Sequence, residues 1–305
     1  MEKKPMFQSK NRALFQFLLS AGLFLTAANL TAQPVCDNNS VTELQSPSAP
    51  TMSISSFSVP ANDNRLLVVA AVNSSNQLPP AITFGSSNMT QGPSSEEGGL
   101  VLTLYYLVLG SSASSTAGTI TATGNNLRYL AATSFHNVNQ SDPTDGEAST
   151  FITGTGTLSA LSINSSPQGL VVDAFAYYAP SGATDITEGA GQTLLFKREG
   201  GSLYIRFGSS IKAGASPSVD MNWTVVGTPS LASGSHVGMN LREACPPAGS
   251  IWYVDASAAS GGTGSSWACA FQNLQDAIDA ASSGHEIWVK AGTYKPTTYP
   301  AGCSG

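Results

Sequence analysis

The chain has 305 residues, a formal net charge of −6 and only 10% charged side chains, against about 25% in an ordinary globular domain. Ser, Thr, Gly and Asn fill the gap, which disfavours long helices and favours strands and turns. The 41% hydrophobic content argues against a disordered chain, and the acidic balance argues against nucleic acid or an anionic membrane surface as partner.

The N-terminus reads as a targeting segment. Lys3, Lys4, Lys10 and Arg12 precede the apolar run "ALFQFLLSAGLFLTAANL", and small residues lead to a cut expected between Ala32 and Gln33. This is the pattern of a cleaved signal peptide. Cleavage removes four basic residues and one acid, taking the net charge from −6 to −9. No later segment is apolar for long enough to span a bilayer, so the expected location is secreted or cell-surface.

Residues 33–48 are polar and rich in turn formers, and read as a leader into the first strand. From Thr51 to Glu243 short apolar runs alternate with Gly, Pro, Asn and Ser. They are "MSISSFSV", "RLLVVAAV", "AITF", "LVLTLYYLVL", "GTITAT", "YLAATSFH", "LSALSI", "LVVDAFAYY", "TLLFK", "LYIRFGSSI", "MNWTVV" and "VGMNLR". About a dozen such strands predict an all-β, antiparallel, jelly-roll-like β-sandwich. In "LVLTLYYLVL" the pleat puts Leu102, Leu104, Tyr106 and Val108 on one face and Val101, Thr103, Tyr105, Leu107 and Leu109 on the other. Both faces are apolar, which predicts a central strand covered on both sides. In "LYIRFGSSI", Leu203, Ile205 and Phe207 alternate with Tyr204 and Arg206, which predicts a half-exposed strand. No internal repeat is evident in residues 33–243.

"EACPPAGS" ends this region with a short stiff linker. "IWYVDA" then reads as a strand, "SAASGGTGSSWACAF" as a Gly/Ser loop anchored by Trp267, and "NLQDAIDAASSG" as a helix. Asn273 suits the N-cap, Asp276 the first turn, and Gly284 the C′ position. Leu274, Ala277, Ile278 and Ala281 share one helix face. "HEIWVKAGTY" follows as a strand, with Ile287 and Val289 on one face and Trp288 on the other. The expected organisation is a signal peptide at 1–32, a sandwich at 33–245, a linker at 246–250 and a C-terminal piece at 251–305.

Two resemblances extend this. The runs "NRLLVVAAV", "ITFGSSNMTQ", "LYYLVLG", "LAATSFHNVNQSDP" and "GLVVDAFAY" occur in the order of a recurring strand-and-hairpin pattern, with Asn137, Ser86 and Ser87 where Gly is common. Residues 51–178 thereby resemble an extracellular β-sandwich domain of secreted bacterial surface proteins, which implies fold and location only. Ile251–Thr297 resembles the N-terminal cap and first coil of right-handed parallel β-helix proteins, the pectin-lyase-like group and the polymorphic outer-membrane-protein adhesins. His285 departs from the usual Asp there, and Lys290 from the usual Ala. The resemblance implies a β-helix start, truncated because one coil cannot bury its own face, with one short capping helix. The lyase residues of that group lie in later coils, and none can be carried over.

Candidates for chemistry are few. His136, His236 and His285 show no metal or triad spacing, and no GxSxG nucleophile elbow occurs. His136 ends a strand and the other two read as loop residues. Asp142, Asp145 and Glu147 in "SDPTDGE" gather carboxylates of the kind calcium takes, a candidate structural metal site. Tyr105, Tyr129, Tyr177, Tyr178, Tyr204 and Trp223 are candidates for stacking on sugar, although adjacent Tyr177 and Tyr178 must point to opposite faces. Cys36, Cys245, Cys269 and Cys303 allow three pairings. Cys36–Cys245 is favoured because it brackets the β-rich region, leaving Cys269–Cys303 for the C-terminal piece. The expected function is the non-catalytic N-terminal region of a secreted or cell-surface adhesin-like protein, structural or ligand-binding, with extracellular glycans or cell-surface proteins as partners. The alternative is the carbohydrate-binding front of a secreted β-helix enzyme, a lyase or glycoside hydrolase, that degrades polysaccharide.

Overall fold

The computed structural model describes residues 33–43, 50–74, 80–96, 100–158, 160–179, 183–198, 204–228, 233–258 and 261–295. The expected signal peptide, Ala32 and Cys303 lie outside the described residues. The fold is all-β, with antiparallel sheets and one short helix.

Two five-stranded antiparallel sheets form the centre. The first runs Val35–Glu43, Leu127–His136, Asn62–Ser74, Leu100–Ser112, Thr90–Ser95 in spatial order. The second runs Thr144–Thr153, Ser233–Leu241, Leu170–Tyr178, Ile205–Ala213, Thr193–Arg198. Leu66, Val68, Val72, Leu102, Leu104 and Phe135 of the first share one buried core with Val172, Ala174, Phe207, Val237 and Met239 of the second. Each such Val, Leu or Phe contributes about 1.5–3 kcal/mol by leaving water. Tyr129 seals the interface: its ring packs at 5.3 Å from Phe207, and its hydroxyl donates to the Ile205 carbonyl at 3.1 Å. Edge contacts close the sides. Asn39 Nδ2 donates to the Leu195 carbonyl at 3.1 Å, and Ser95 Oγ to that of Thr150 at 3.3 Å.

Each central sheet is covered on its outer face as well. Over the first lie Thr51–Val59, Thr116–Thr123, Ala81–Phe84 and Ser87–Asn88, whose Met52, Ile54, Phe57, Ile82 and Ile120 pack on Leu67, Val69, Tyr105 and Leu130. Over the second lie Gly156–Thr157, Trp223–Gly227 and Ala183–Glu188, together with the pair Leu161–Asn164 and Ser218–Met221. The layers therefore form two sandwiches back to back. The halves repeat one topology that the sequence does not display. In each, the first strand lies at an edge beside the last, followed by the long central strand, then its partner, then the second edge.

The alternation in "LVLTLYYLVL" is observed as expected: Leu102, Leu104, Tyr106 and Val108 face the shared core, and Tyr105, Leu107 and Leu109 the outer one. Other expectations are corrected. The leader at 33–48 contains the strand Val35–Glu43, an edge strand whose polar residues are held by pairing with Leu127–His136. "LYIRFGSSI" is no half-exposed strand. Ile205 to Ser210 are all buried, Arg206 included, whose guanidinium donates to the carbonyls of Ala179 and Tyr204 at 3.1 and 3.4 Å. "SDPTDGE" is loop only at its start, because Thr144–Thr153 forms a strand with a bulge between Asp145 and Ala148. Gly146 makes that bulge possible: its φ is +61°, and a Cβ there would stand 1.9 Å from the Asn164 carbonyl oxygen.

The C-terminal piece is not a β-helix. Ile251–Val254 pairs in parallel with Glu286–Val289, and the helix Leu274–Ala280 covers one face of the pair. The strand, loop, helix, strand order is present, but two strands of four residues wind no coil, and among the described residues the remaining sheets are antiparallel. The resemblance to β-helix proteins, and with it the truncated-coil reading, is therefore overturned. The helix also stops earlier than expected. Ala281 is its C-cap, while Gly284 sits in the turn closed by His285 N–H on the Ser282 carbonyl. No helix among the described residues is long and apolar enough to cross a membrane.

The observed disulfide is Cys245–Cys269, which replaces both the expected Cys36–Cys245 and the expected Cys269–Cys303 pairings. It joins the end of the second sandwich to the loop before the helix, while Cys36 is a free, partly buried thiol packed against the core shared by the two sandwiches. Closing a loop of this length, 24 residues in sequence, contributes about 3 kcal/mol. Burial, followed by the neighbouring Asp37 charge, pushes the Cys36 thiol up to about 11. Peptide mapping without reductant should link the Cys245 and Cys269 peptides, and alkylation of Cys36 near neutral pH should be slow in the folded chain and much faster after unfolding.

Candidate ligand-binding face

The acidic candidates are engaged within the fold. Asp142 pairs with Arg242; Asp145 accepts from Asn240 Nδ2 at 2.7 Å and stands 3.9 Å from Arg242 Nε. Partial burial raises the Glu147 carboxyl above the ordinary carboxylate range. Among the described residues no three His, Cys, Asp or Glu side chains gather as a metal ion needs. Gln33, the first residue after the expected cleavage, donates from Nε2 to the Pro167 carbonyl at 2.9 Å.

The most concentrated polar cluster is one that sequence spacing did not reveal. Asp173 is fully buried in the central strand of the second sheet. Its Oδ1 accepts from the Ser210 amide at 2.8 Å and hydroxyl at 2.7 Å. Its Oδ2 accepts from Trp223 Nε1 at 2.8 Å and lies 2.8 Å from His236 Nε2. His236 is thus a buried strand residue, not the loop residue expected. Gly208 clears room for the Trp223 ring, since a Cβ there would come within 2.6 Å of it. Phe175, the register partner of Gly208, stacks on that ring at 5.3 Å. The two repeats differ most at this point. The motifs "LLVVAAV" and "LVVDAFA" place Val69 where Asp173 stands. Val69 pairs with Tyr105 and Ala132, and Asp173 with Ser210 and Gly238. Two residues earlier on the neighbouring strands stand Leu130 and His236.

A carboxylate with donors on both oxygens and no route for solvent is a structural lock. No substrate can reach it. Asp173→Ala should lower the unfolding free energy by about 3–5 kcal/mol, since it strands the buried donors. Asp173→Val combined with His236→Leu, which copies the first half, should recover part of that loss in denaturant titrations.

Of the six aromatic candidates, Tyr105, Tyr129, Tyr177 and Trp223 are core residues, and only Tyr178 and Tyr204 reach the surface. Tyr177 and Tyr178 do face opposite ways, one buried and the other 37% exposed. A third group lies on the C-terminal piece. Tyr253 and Trp288 are register partners in the parallel pair and share its outward face, opposite Trp252 and Ile287 in the small core. Trp267 leans in from the loop. Its ring centroid is 5.0 Å from that of Tyr253, and Trp288 lies 5.8 Å away on a similar edge-on approach. Trp267 and Trp288 are each 45% exposed.

The three rings are held in place. Trp288 Nε1 donates to Glu286 Oε2 at 2.8 Å. Trp267 precedes Ala268, whose carbonyl Arg242 approaches at 3.5 Å, and Cys269, which the disulfide fixes. Beside Trp267 opens a surface pocket lined by Asp255, Trp267, Ala268 and Lys290, about 470 Å³ in volume. Lys290 Nζ lies 2.6 Å from Asp255 Oδ2 and 3.4 Å from Ser257 Oγ. The signal that could have disclosed this face is the phase of two short runs, "IWYV" and "EIWV", each with an aromatic residue on the side away from the helix.

Hydrogen bonds from Lys290, then from Ser257, lower the Asp255 carboxyl to about 2. The pair's contribution is complete above the ordinary carboxylate pKa and is lost as pH falls through the lowered one. An NMR titration of the Asp255 carboxyl should find its midpoint near 2, with the pair intact through the mildly acidic range.

The chain matches no protein-family model, and searches among curated proteins and solved structures returned no match either.

Proposed function

We propose that this chain is a non-catalytic, adhesin-like module, secreted or displayed at the cell surface, that binds extracellular glycans or cell-surface proteins. The observation that carries this reading is the outward Tyr253, Trp267 and Trp288 group, pinned to the sandwich by Cys245–Cys269. A rigid, exposed aromatic surface is what a binding module presents, and a structural disulfide suits an oxidising compartment. The basic and apolar N-terminal pattern supports export. The spatial strand orders of the two halves support a jelly-roll reading of each, a two-sheet fold that recurs in capsid and lectin domains. The acidic net charge supports partners other than nucleic acid.

The test is expression of the full chain with its own N-terminus in a bacterial host. The expected result is an extracytoplasmic protein beginning at Gln33 that sediments with cell-surface polysaccharide or whole cells and releases no reducing ends or unsaturated sugars. Retention in the cytoplasm with an intact N-terminus overturns the export reading. Release of sugar products overturns the non-catalytic one and favours an enzyme that degrades polysaccharide.

A further inference from the structure

We infer that the Tyr253, Trp267 and Trp288 face, with the adjoining Asp255–Lys290 pocket, is a subsite for a neutral pyranose oligosaccharide. This rests on the binding-module reading above and assigns its ligand class and its residues.

Size is the first argument. Trp267 and Trp288 are each 45% exposed. With full aromatic side chains of about 150–250 Å², the three rings offer a patch on the order of 300 Å². A stable protein partner buries about 800 Å² on each side. The aromatic patch alone therefore matches a few sugar rings, whereas a protein partner would have to extend well beyond it.

Chemistry is the second. The flat side of a pyranose carries several C–H groups that stack on an aromatic face, while its hydroxyls point outward and need both donors and acceptors. The face supplies both. Exposed indole rings lie next to the Lys290 ammonium, a donor, and the Asp255 carboxylate, an acceptor, held 2.6 Å apart at the pocket beside Trp267. Such a paired rim bonds vicinal hydroxyls without favouring either charge.

Electrostatics selects a neutral sugar. The Lys290 charge is balanced by Asp255, and Glu286 stands beside Trp288. A uronate or sulfated chain would meet no uncompensated cation there and would approach a chain of net charge −6. Preorganisation adds to affinity, because Trp267 is held through Cys269 and Trp288 through Glu286, which leaves little ring freedom to lose on binding.

The experiment is isothermal titration of the full chain with neutral cello-, xylo-, manno- and chito-hexaoses and with an anionic oligogalacturonate, followed by tryptophan fluorescence. The expected result is binding of at least one neutral hexaose, weakened tenfold or more by Trp267→Ala and by Trp288→Ala. Phe151→Ala, which removes an exposed ring on the second sandwich, leaves it unchanged. Circular dichroism melts of the three variants should match the parent, which separates lost contact from lost fold. Binding that survives both tryptophan substitutions overturns the site while the binding-module reading stands. Tighter binding of the anionic chain overturns the ligand class. Absence of binding to every hexaose, with the chain folded, overturns the subsite but leaves export and cell attachment to the sedimentation test. A concentration-dependent dimer that Trp288→Ala dissociates overturns it in favour of a contact between copies.

Discussion

The two described sandwiches are arranged around the contact between two sheet faces. The inner faces of the two central sheets are both apolar, and each covers the other. Because each sheet is also covered on its outer side, its central strands must be apolar on both faces. That constraint explains the nearly continuous hydrophobic runs of the central strands, "RLLVVAAV" and "LVLTLYYLVL". Removing either sandwich would expose the partner's inner face, so the halves depend on each other for solubility as well as for stability.

Within that shared frame the halves have diverged in how they fill their outer cores. The first uses aliphatic packing around Val69 and Leu130. The second spends the same space on Asp173 and its partners His236, Trp223 and Ser210. A buried ionic cluster is weak evidence of net stabilisation, but it is exacting about geometry, because any misplaced donor leaves an uncompensated group. The Asp173 cluster joins the central strand, two neighbours and an outer strand, and so fixes the position of the outer layer over the inner one.

Much of the fold was legible in the sequence where burial imposes a period of two. The faces of Leu100–Ser112 fell out of the pleat correctly, as did the opposed directions of Tyr177 and Tyr178. What escaped was set by tertiary pairing. Val35–Glu43 is polar and becomes a strand only through its partner. Arg206 falls on the polar side of its alternation yet is buried, because the carbonyls of Ala179 and Tyr204 accept from its guanidinium. His236 and Asp173 are 63 residues apart in sequence and meet only through strand order. The topological repeat was hidden for the same reason, since equivalent positions hold Val in one half and Asp in the other. At the C-terminal piece the order of strand, loop, helix and strand was legible, though helix and second strand are shorter than the pattern implies, and the resemblance over 47 residues points to an architecture that two short parallel strands do not build. The aromatic face was only half legible: its phase was written in "IWYV" and "EIWV", while the approach of Trp267 depends on a disulfide whose partners the sequence does not name.

The edge strand Val35–Glu43 carries one further consequence, for the order of events in folding. Its partner, Leu127–His136, enters the chain some 90 residues later, and pairings so distant in sequence form slowly because loop closure must precede them. A chain synthesised or threaded from its N-terminus holds this segment unpaired until nearly the whole first half has emerged. Its polar composition, "VCDNNSVTE", keeps the waiting strand soluble and a poor template for other edges. The weak strand signal that hid this segment in the sequence is thus also what lets it wait.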